Sequence, residues 1–234
     1  MRILAVCLWG LMFATPLIAA EDTPTRFDVR LFGIKVGEIT LAGRIRNGAY
    51  VAKSLFRTTG MTGRLARARF ALNAKGRATK TGLMPSAYSE DIDTGRRASS
   101  ARLAYSGGVP RVTGGTLSGK TDLLDPTQEK GTLDPMTVLF AVLRDQPDDA
   151  LCTFTATVFD GARRSNIRLT SRQDKNGDVI CSGEYRRVAG FSERELNRQT
   201  AFPLRVTYRD ARGVMQAIRI DLRTTYGKVV MLRR

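Results

Sequence analysis

Apolar and polar residues alternate along short stretches of this chain, and Gly, Asn, Asp or Pro breaks the alternation at strand-length intervals. A period of two sends successive side chains to opposite faces of a sheet, so such a pattern folds as β-strands with one buried and one wet face. Phe27, Val29 and Leu31 alternate with Asp28, Arg30 and Phe32, then Gly33 turns the chain and Val36 to Leu41 resumes the pattern. Asn47-Gly48 suits the positive backbone angles of a type I′ turn and precedes a strand over Ala49 to Thr58. The expected fold is mainly β, a curved antiparallel sheet or partly open β-barrel with one covering α-helix.

Two later hairpins carry register predictions. Over Leu151 to Leu169, a two-residue loop at Asp160-Gly161 pairs Phe159 with Ala162, Phe154 with Ile167 and Cys152 with Leu169. The opposite face then holds Thr153, Thr155 and Thr157 against Arg168, Asn166 and Arg164. Near the C-terminus, a loop with one extra residue and a left-handed Gly213 sets Val206 opposite Ile218 and Arg205 opposite Arg219. That like-charge pair calls for an acid such as Asp221, or for an anion, between the two guanidinium groups.

One helix interrupts the strands: Asp134 is a good N-cap, Pro135 suits the first helical position, and Met136, Leu139, Phe140 and Leu143 recur at helical spacing up to Arg144. It should pack one apolar side on the sheet. The Gly, Ser and Thr residues from Val112 to Thr121 read as a flexible connection ahead of it.

Residues 1–20 predict an address. Arg2, an apolar stretch from Ile3 to Ile18 and the small Ala19-Ala20 end ahead of Glu21-Asp22 have the form of a secretory signal peptide, with cleavage after Ala20. Cys7 makes no lipoprotein site, because it precedes most of the apolar stretch. The expected mature protein is one soluble domain over residues 21–234 in the periplasm. Only Arg2 among the charges leaves with the signal, so the net charge goes from +16 to about +15.

Export also bears on Cys152 and Cys181, the two cysteines left after cleavage, which are expected to form a disulfide in an oxidising compartment. In a simple meander their strands would flank a third, about 9 to 10 Å apart, beyond the roughly 7 Å a disulfide allows between Cα atoms. The expectation is therefore that the bridge forms and the simple meander does not, the third strand pairing elsewhere or curling.

Several short segments occur in a set order: Phe27-x-Val29 running into Gly33-Ile34-Lys35-Val36-Gly37-Glu38, Gly82-Leu83-Met84-Pro85-x-x-Tyr88, Thr132-Leu133-Asp134-Pro135-Met136-Thr137, Phe159-Asp160-Gly161-x-Arg163-Arg164, and Cys181-x-Gly183-x-Tyr185 to Gly190-Phe191. Taken in that order they resemble an exported proteobacterial family, domain of unknown function family 3108. The resemblance runs from Arg26 to Val230 and implies envelope location and a β-rich fold, with no reaction attached. The architecture is also similar to the periplasmic lipoprotein carriers, in which a curved sheet and helical lid hold acyl chains.

The chain has no histidine, so Ser-His-Asp, Cys-His and His-metal chemistry are excluded, and the sequence points to no cofactor or metal. The leading expectation is a non-enzymatic binding or envelope-maintenance protein whose basic surface meets an anionic lipid or envelope polymer, touching a membrane peripherally at most. The candidate anion ligands are Arg163, Arg164, Arg168, Arg186, Arg187, Arg205 and Arg219, provided their outward members meet at one mouth of the sheet. A carboxylate-based hydrolase of an acidic polymer is the runner-up, and a structural partner recognised through strand edges is the third reading. Nucleic acid is disfavoured, since aromatics are only 7% and no basic-aromatic motif offers a stacking platform.

Overall fold

The structure, a computed structural model, describes residues 24–117, 123–225 and 227–234. The predicted signal peptide and its cleavage site lie outside these residues. Thirteen strands form one antiparallel sheet in strict sequence order, from β7 at one edge through β1 and β13 to β8 at the other. The strands are β1 (Thr25–Leu31), β2 (Ile34–Arg46), β3 (Ala49–Thr58), β4 (Arg69–Thr79), β5 (Gly82–Asp93), β6 (Ala98–Ser106), β7 (Val109–Gly115), β8 (Phe154–Phe159), β9 (Arg164–Lys175), β10 (Asp178–Ala189), β11 (Ala201–Asp210), β12 (Met215–Thr224) and β13 (Gly227–Arg233). Pairing of β1 with β13 joins the first and last strands in mid-sheet.

Local chemistry places several turns where the sequence predicts them. Phe32-Gly33, Asn47-Gly48 and Asn176-Gly177 each put two residues at positive φ between adjacent strands, as a two-residue hairpin loop requires. Gly213 is left-handed too, at φ 84°.

The sheet coils around the helix α2 (Pro135–Leu143), which Asp134 caps by accepting the Thr137 amide at 2.8 Å. Met136, Thr137, Val138, Phe140, Val142 and Leu143 are all buried, so the helix is covered nearly all round rather than along one apolar side. The reason is that both halves of the sheet reach it: Tyr50 of β3 meets the Thr137 hydroxyl at 2.6 Å, and Tyr208 of β11 donates to the Val142 carbonyl at 2.8 Å. Two shorter helices, α1 (Gly60–Leu65) and α3 (Glu193–Arg198), sit at strand connections.

Edge strands β7 and β8 do not pair with each other, and the barrel-like curl stays open there. The connection between them bridges part of the gap. Gly131 donates to Gly108 beside β7, and Leu133 makes a parallel bridge to Val158 in β8. Val112 to Gly115, expected in a flexible connection, instead belong to β7, where the β6 ladder orders them; residues 118–122 lie outside the described set.

Register corrects two hairpins. Phe159 pairs with Arg164 and Phe154 with Leu169, so the β8–β9 loop has four residues rather than two. Asp160 explains the longer loop: its Oδ1 accepts both the Ala162 and Arg163 amides, at 2.9 and 2.7 Å, closing a side-chain turn that a two-residue loop could not hold. In the C-terminal hairpin Val206 faces Ile220, Arg205 faces Asp221 and Arg219 faces Thr207, so the Arg205–Arg219 like-charge pair does not form. The first displacement is two residues throughout and keeps the expected faces. In the second, a bulge between Thr207 and Tyr208 leaves Tyr208 to Asp210 only one residue out of the expected register and puts Ala217, not Ile218, in the core.

The disulfide forms, with Cα atoms 4.9 Å apart, and the simple meander stands as well. The expectation that one excludes the other fails because Cys152 is not in the sheet. Its backbone is left-handed at φ 58°, two residues before β8 begins, and the chain there folds inward. A bulge at Thr170 of β9, opposite the Ser182–Gly183 step of β10, lies at the same level, where inward-facing Cys181 meets Cys152.

Candidate functional site: charge on the two halves of the sheet

The arginines singled out from the sequence fall into three pairs and one isolated residue on the β8–β13 half. Arg168 and Arg186 share Glu184, at 3.8 and 3.0 Å. Arg205 stands opposite Asp221, which binds Arg219 at 2.6 Å and Lys228 at 2.8 Å. Arg163 reaches Glu195 at 3.8 Å, while Arg187 donates to the Glu195 and Gln199 carbonyls that end α3, and both lie over the Phe191 ring at 5.2 Å. Arg164 turns away to bind the buried Glu129 at 3.1 Å. These groups meet different acids and carbonyls instead of one common mouth, and most of their charge is answered within the chain.

The β2–β7 half differs. Ladder register aligns Ala42, Lys53, Asn73, Ser89 and Arg102 across five strands, and Arg44, Val51, Lys75, Ala87 and Ala104 in the parallel row two residues along. All ten point away from α2, because their neighbours Tyr50, Ala52, Ala74, Tyr88 and Leu103 are buried inward. Arg44, Lys53, Lys75 and Arg102 are exposed, and among the described residues none of them has an ion-pair partner. No acid shares these two rows. The small Ala and Ser side chains between them leave the cations around an open groove of about 1020 Å³, an arrangement suited to an anionic surface. Sequence reasoning misses this face because the residues come from separate strands, and only register aligns them.

A set of carboxyl groups lies inside the curl. Burial pushes Glu90 up to about 7, and the Tyr88 hydroxyl donates to it at 2.6 Å. Burial also raises Asp160, and Asp134 is pushed up to about 6 despite accepting the Thr137 amide and hydroxyl. Asp160 adds to the rise at Glu90 through like charge, so these two carboxyls are electrostatically linked. A Glu held partly protonated near neutrality has the property of a general acid. Asp160 nonetheless holds its turn through Oδ1 and Asp134 caps α2 through both oxygens, and no group of three or more metal-ligating side chains occurs among the described residues.

Residues 26–233 match the family model DUF3108, described as a protein of unknown function. The chain belongs to this family. The DUF3108 match runs from β1 into β13 and so takes in every strand of the sheet. Among solved structures, the crystal structure of a beta-barrel-like protein of domain of unknown function DUF1849 from Brucella abortus is similar at 11% identity, covering 92% of this chain and 98% of that one with a TM-score of 0.44. No curated protein matches the chain.

Proposed function

We propose that this DUF3108 protein is a non-enzymatic periplasmic binding protein of the cell envelope, which lies against an anionic lipid surface through the outer face of β2–β7. The observation that carries the reading is the set of four exposed cations, Arg44, Lys53, Lys75 and Arg102, left without an ion-pair partner among the described residues on the outer face of the sheet. Each basic residue near an anionic bilayer contributes about 1 kcal/mol, so the four together suffice for reversible peripheral attachment. The paired arginines of the other half contribute less, because their attraction is already spent on neighbouring acids. Export by residues 1–20 would place the face opposite envelope lipids.

Vesicle co-sedimentation tests this. The mature protein should bind vesicles containing anionic lipid and ignore neutral ones, and added salt should release it, since exposed charges are screened beyond about 8 Å at physiological ionic strength. Lys53→Glu with Lys75→Glu should weaken attachment at least tenfold. Equal binding to neutral vesicles, or attachment to a soluble acidic polysaccharide but not to lipid, would overturn the lipid reading.

A further inference from the structure

A cavity of about 540 Å³ opens at the disulfide end of the curl, with Cys152 and Cys181 both in its wall. Its walls come from both halves of the molecule: Leu83 after the β4–β5 turn, Ala141 and Val142 of α2, Leu151 and Cys152 ahead of β8, Phe154, and Leu169. Its size falls within the roughly 300 to 1,000 Å³ of small-molecule sites. Among the described residues, the titratable side chains in its wall are Lys80, Arg144 and Tyr208, with no carboxylate.

Arg144 is the unusual member. It follows the last residue of α2, and its Nε is buried with no hydrogen-bond partner. A guanidinium in that place would ordinarily close the helix C-terminus or neutralise a neighbouring acid. Neither use applies. The Val142 carbonyl is already taken by Gln146 Nε2 at 3.3 Å and by the Tyr208 hydroxyl at 2.8 Å. The adjacent Asp145 gives one carboxylate oxygen to Arg233 at 3.0 Å and the other to Gln216 at 2.8 Å. What remains to Arg144 is one long contact, Nη1 to the Asp145 carbonyl at 3.4 Å. The side chain is half-buried with its Nε enclosed, and that burial lowers the affinity of Arg144 for its proton.

We infer that this cavity is a binding site for a single-chain anionic amphiphile, whose carboxylate or sulfate head pairs with Arg144 while its chain lies along Leu83, Ala141, Leu151, Phe154 and Leu169. A planar fork of N–H donors fits a two-oxygen anion, and Leu83, Ala141, Leu151, Phe154 and Leu169 give the chain one apolar side of a wall that Thr79, Thr81, Gln146, Thr153 and Thr155 otherwise make polar. This site is separate from the outer basic face and does not depend on it.

Calorimetric titration of the mature, disulfide-bonded protein with laurate, and with dodecanol as its uncharged counterpart, tests the inference. Laurate should bind more tightly than dodecanol. Arg144→Gln should cut laurate affinity at least tenfold and leave dodecanol unchanged. Ala141→Phe, which fills the cavity, should abolish both. Retained attachment to anionic vesicles shows that either variant is folded, and Lys53→Glu with Lys75→Glu should leave laurate affinity intact, which separates failure of this site from failure of the outer face. Absence of laurate binding to the wild type, or equal laurate affinity in the wild type and Arg144→Gln, would overturn the assignment.

Discussion

Single side chains in this molecule set tolerances that can be measured. Gly43 of β2 faces α2 so closely that a Cβ there would lie 2.5 Å from the Phe140 ring. Gly43→Ala should therefore destabilise the fold by about 1 to 3 kcal/mol through overpacking, seen as a lower urea midpoint with an unchanged slope. Glu90 sets a tolerance of another kind. Its folded-state value of about 7 lies above the ordinary 4.5, so the native state holds the proton more tightly than the unfolded chain. Stability from this group is then full at low pH and falls as pH rises through about 4.5 to 7, and Asp134 adds a fall of the same sign up to about 6. The depressed acids Asp28, Glu38, Asp178 and Asp221 act oppositely, their stabilisation being lost as pH drops below the ordinary carboxylate range. Glu90→Gln should flatten the decline between about pH 5 and 7 and stabilise the protein at neutral pH by about 1 to 3 kcal/mol, as read from urea unfolding across pH. An unaltered slope would mean that Glu90 stays ionised in the fold.

Elements were legible in this sequence where the determining chemistry is local. The Asn-Gly turns, the Asp134-Pro135 start of α2 and the alternation that marks β1 to β3 need only neighbouring residues, and each falls where the pattern puts it. Register was not legible where a side chain redirects the turn, as Asp160 does in lengthening the β8–β9 loop. The basic face was invisible for a related reason, since Lys53 and Arg102 become neighbours in one row only through β4 and β5. The cysteine pair shows the limit of reasoning from strand spacing: the 9 to 10 Å estimate of roughly two strand widths holds only while both residues stay in the sheet, and Cys152 leaves it. That bridge closes a loop with a sequence separation of 29 and ties the chain ahead of β8 across the inner side of the curl. Replacing both cysteines by Ser should cost about 3 kcal/mol, measured as the shift in denaturation midpoint against the oxidised protein. Because Leu151 and Cys152 also wall the cavity, the same variant should expose it to solvent.

At the scale of the whole molecule, the sheet lacks the β7–β8 ladder that would close it, and something else must keep the two edges together. The connecting segment does so with backbone contacts at Gly131 and Leu133 and with one ion pair, Glu129 to Arg164 at 3.1 Å. Glu129 is only 2% exposed and its second oxygen has no hydrogen-bond partner, so the carboxylate depends on Arg164 for compensation. Removing the arginine leaves a buried charge unpaired, whereas removing both leaves only a packing defect. Arg164→Leu alone should accordingly destabilise the protein by about 3 kcal/mol, and adding Glu129→Leu should recover most of that loss. The loss should also be local in its first consequence. Amide exchange should quicken at Gly131, Leu133 and Phe159, whose hydrogen bonds tie the connection to the strand edges, before it quickens in the central strands β1 and β13. Uniform acceleration through the whole sheet would mean that the curl is held by its coiled core around α2 and that the connection is a passive tether.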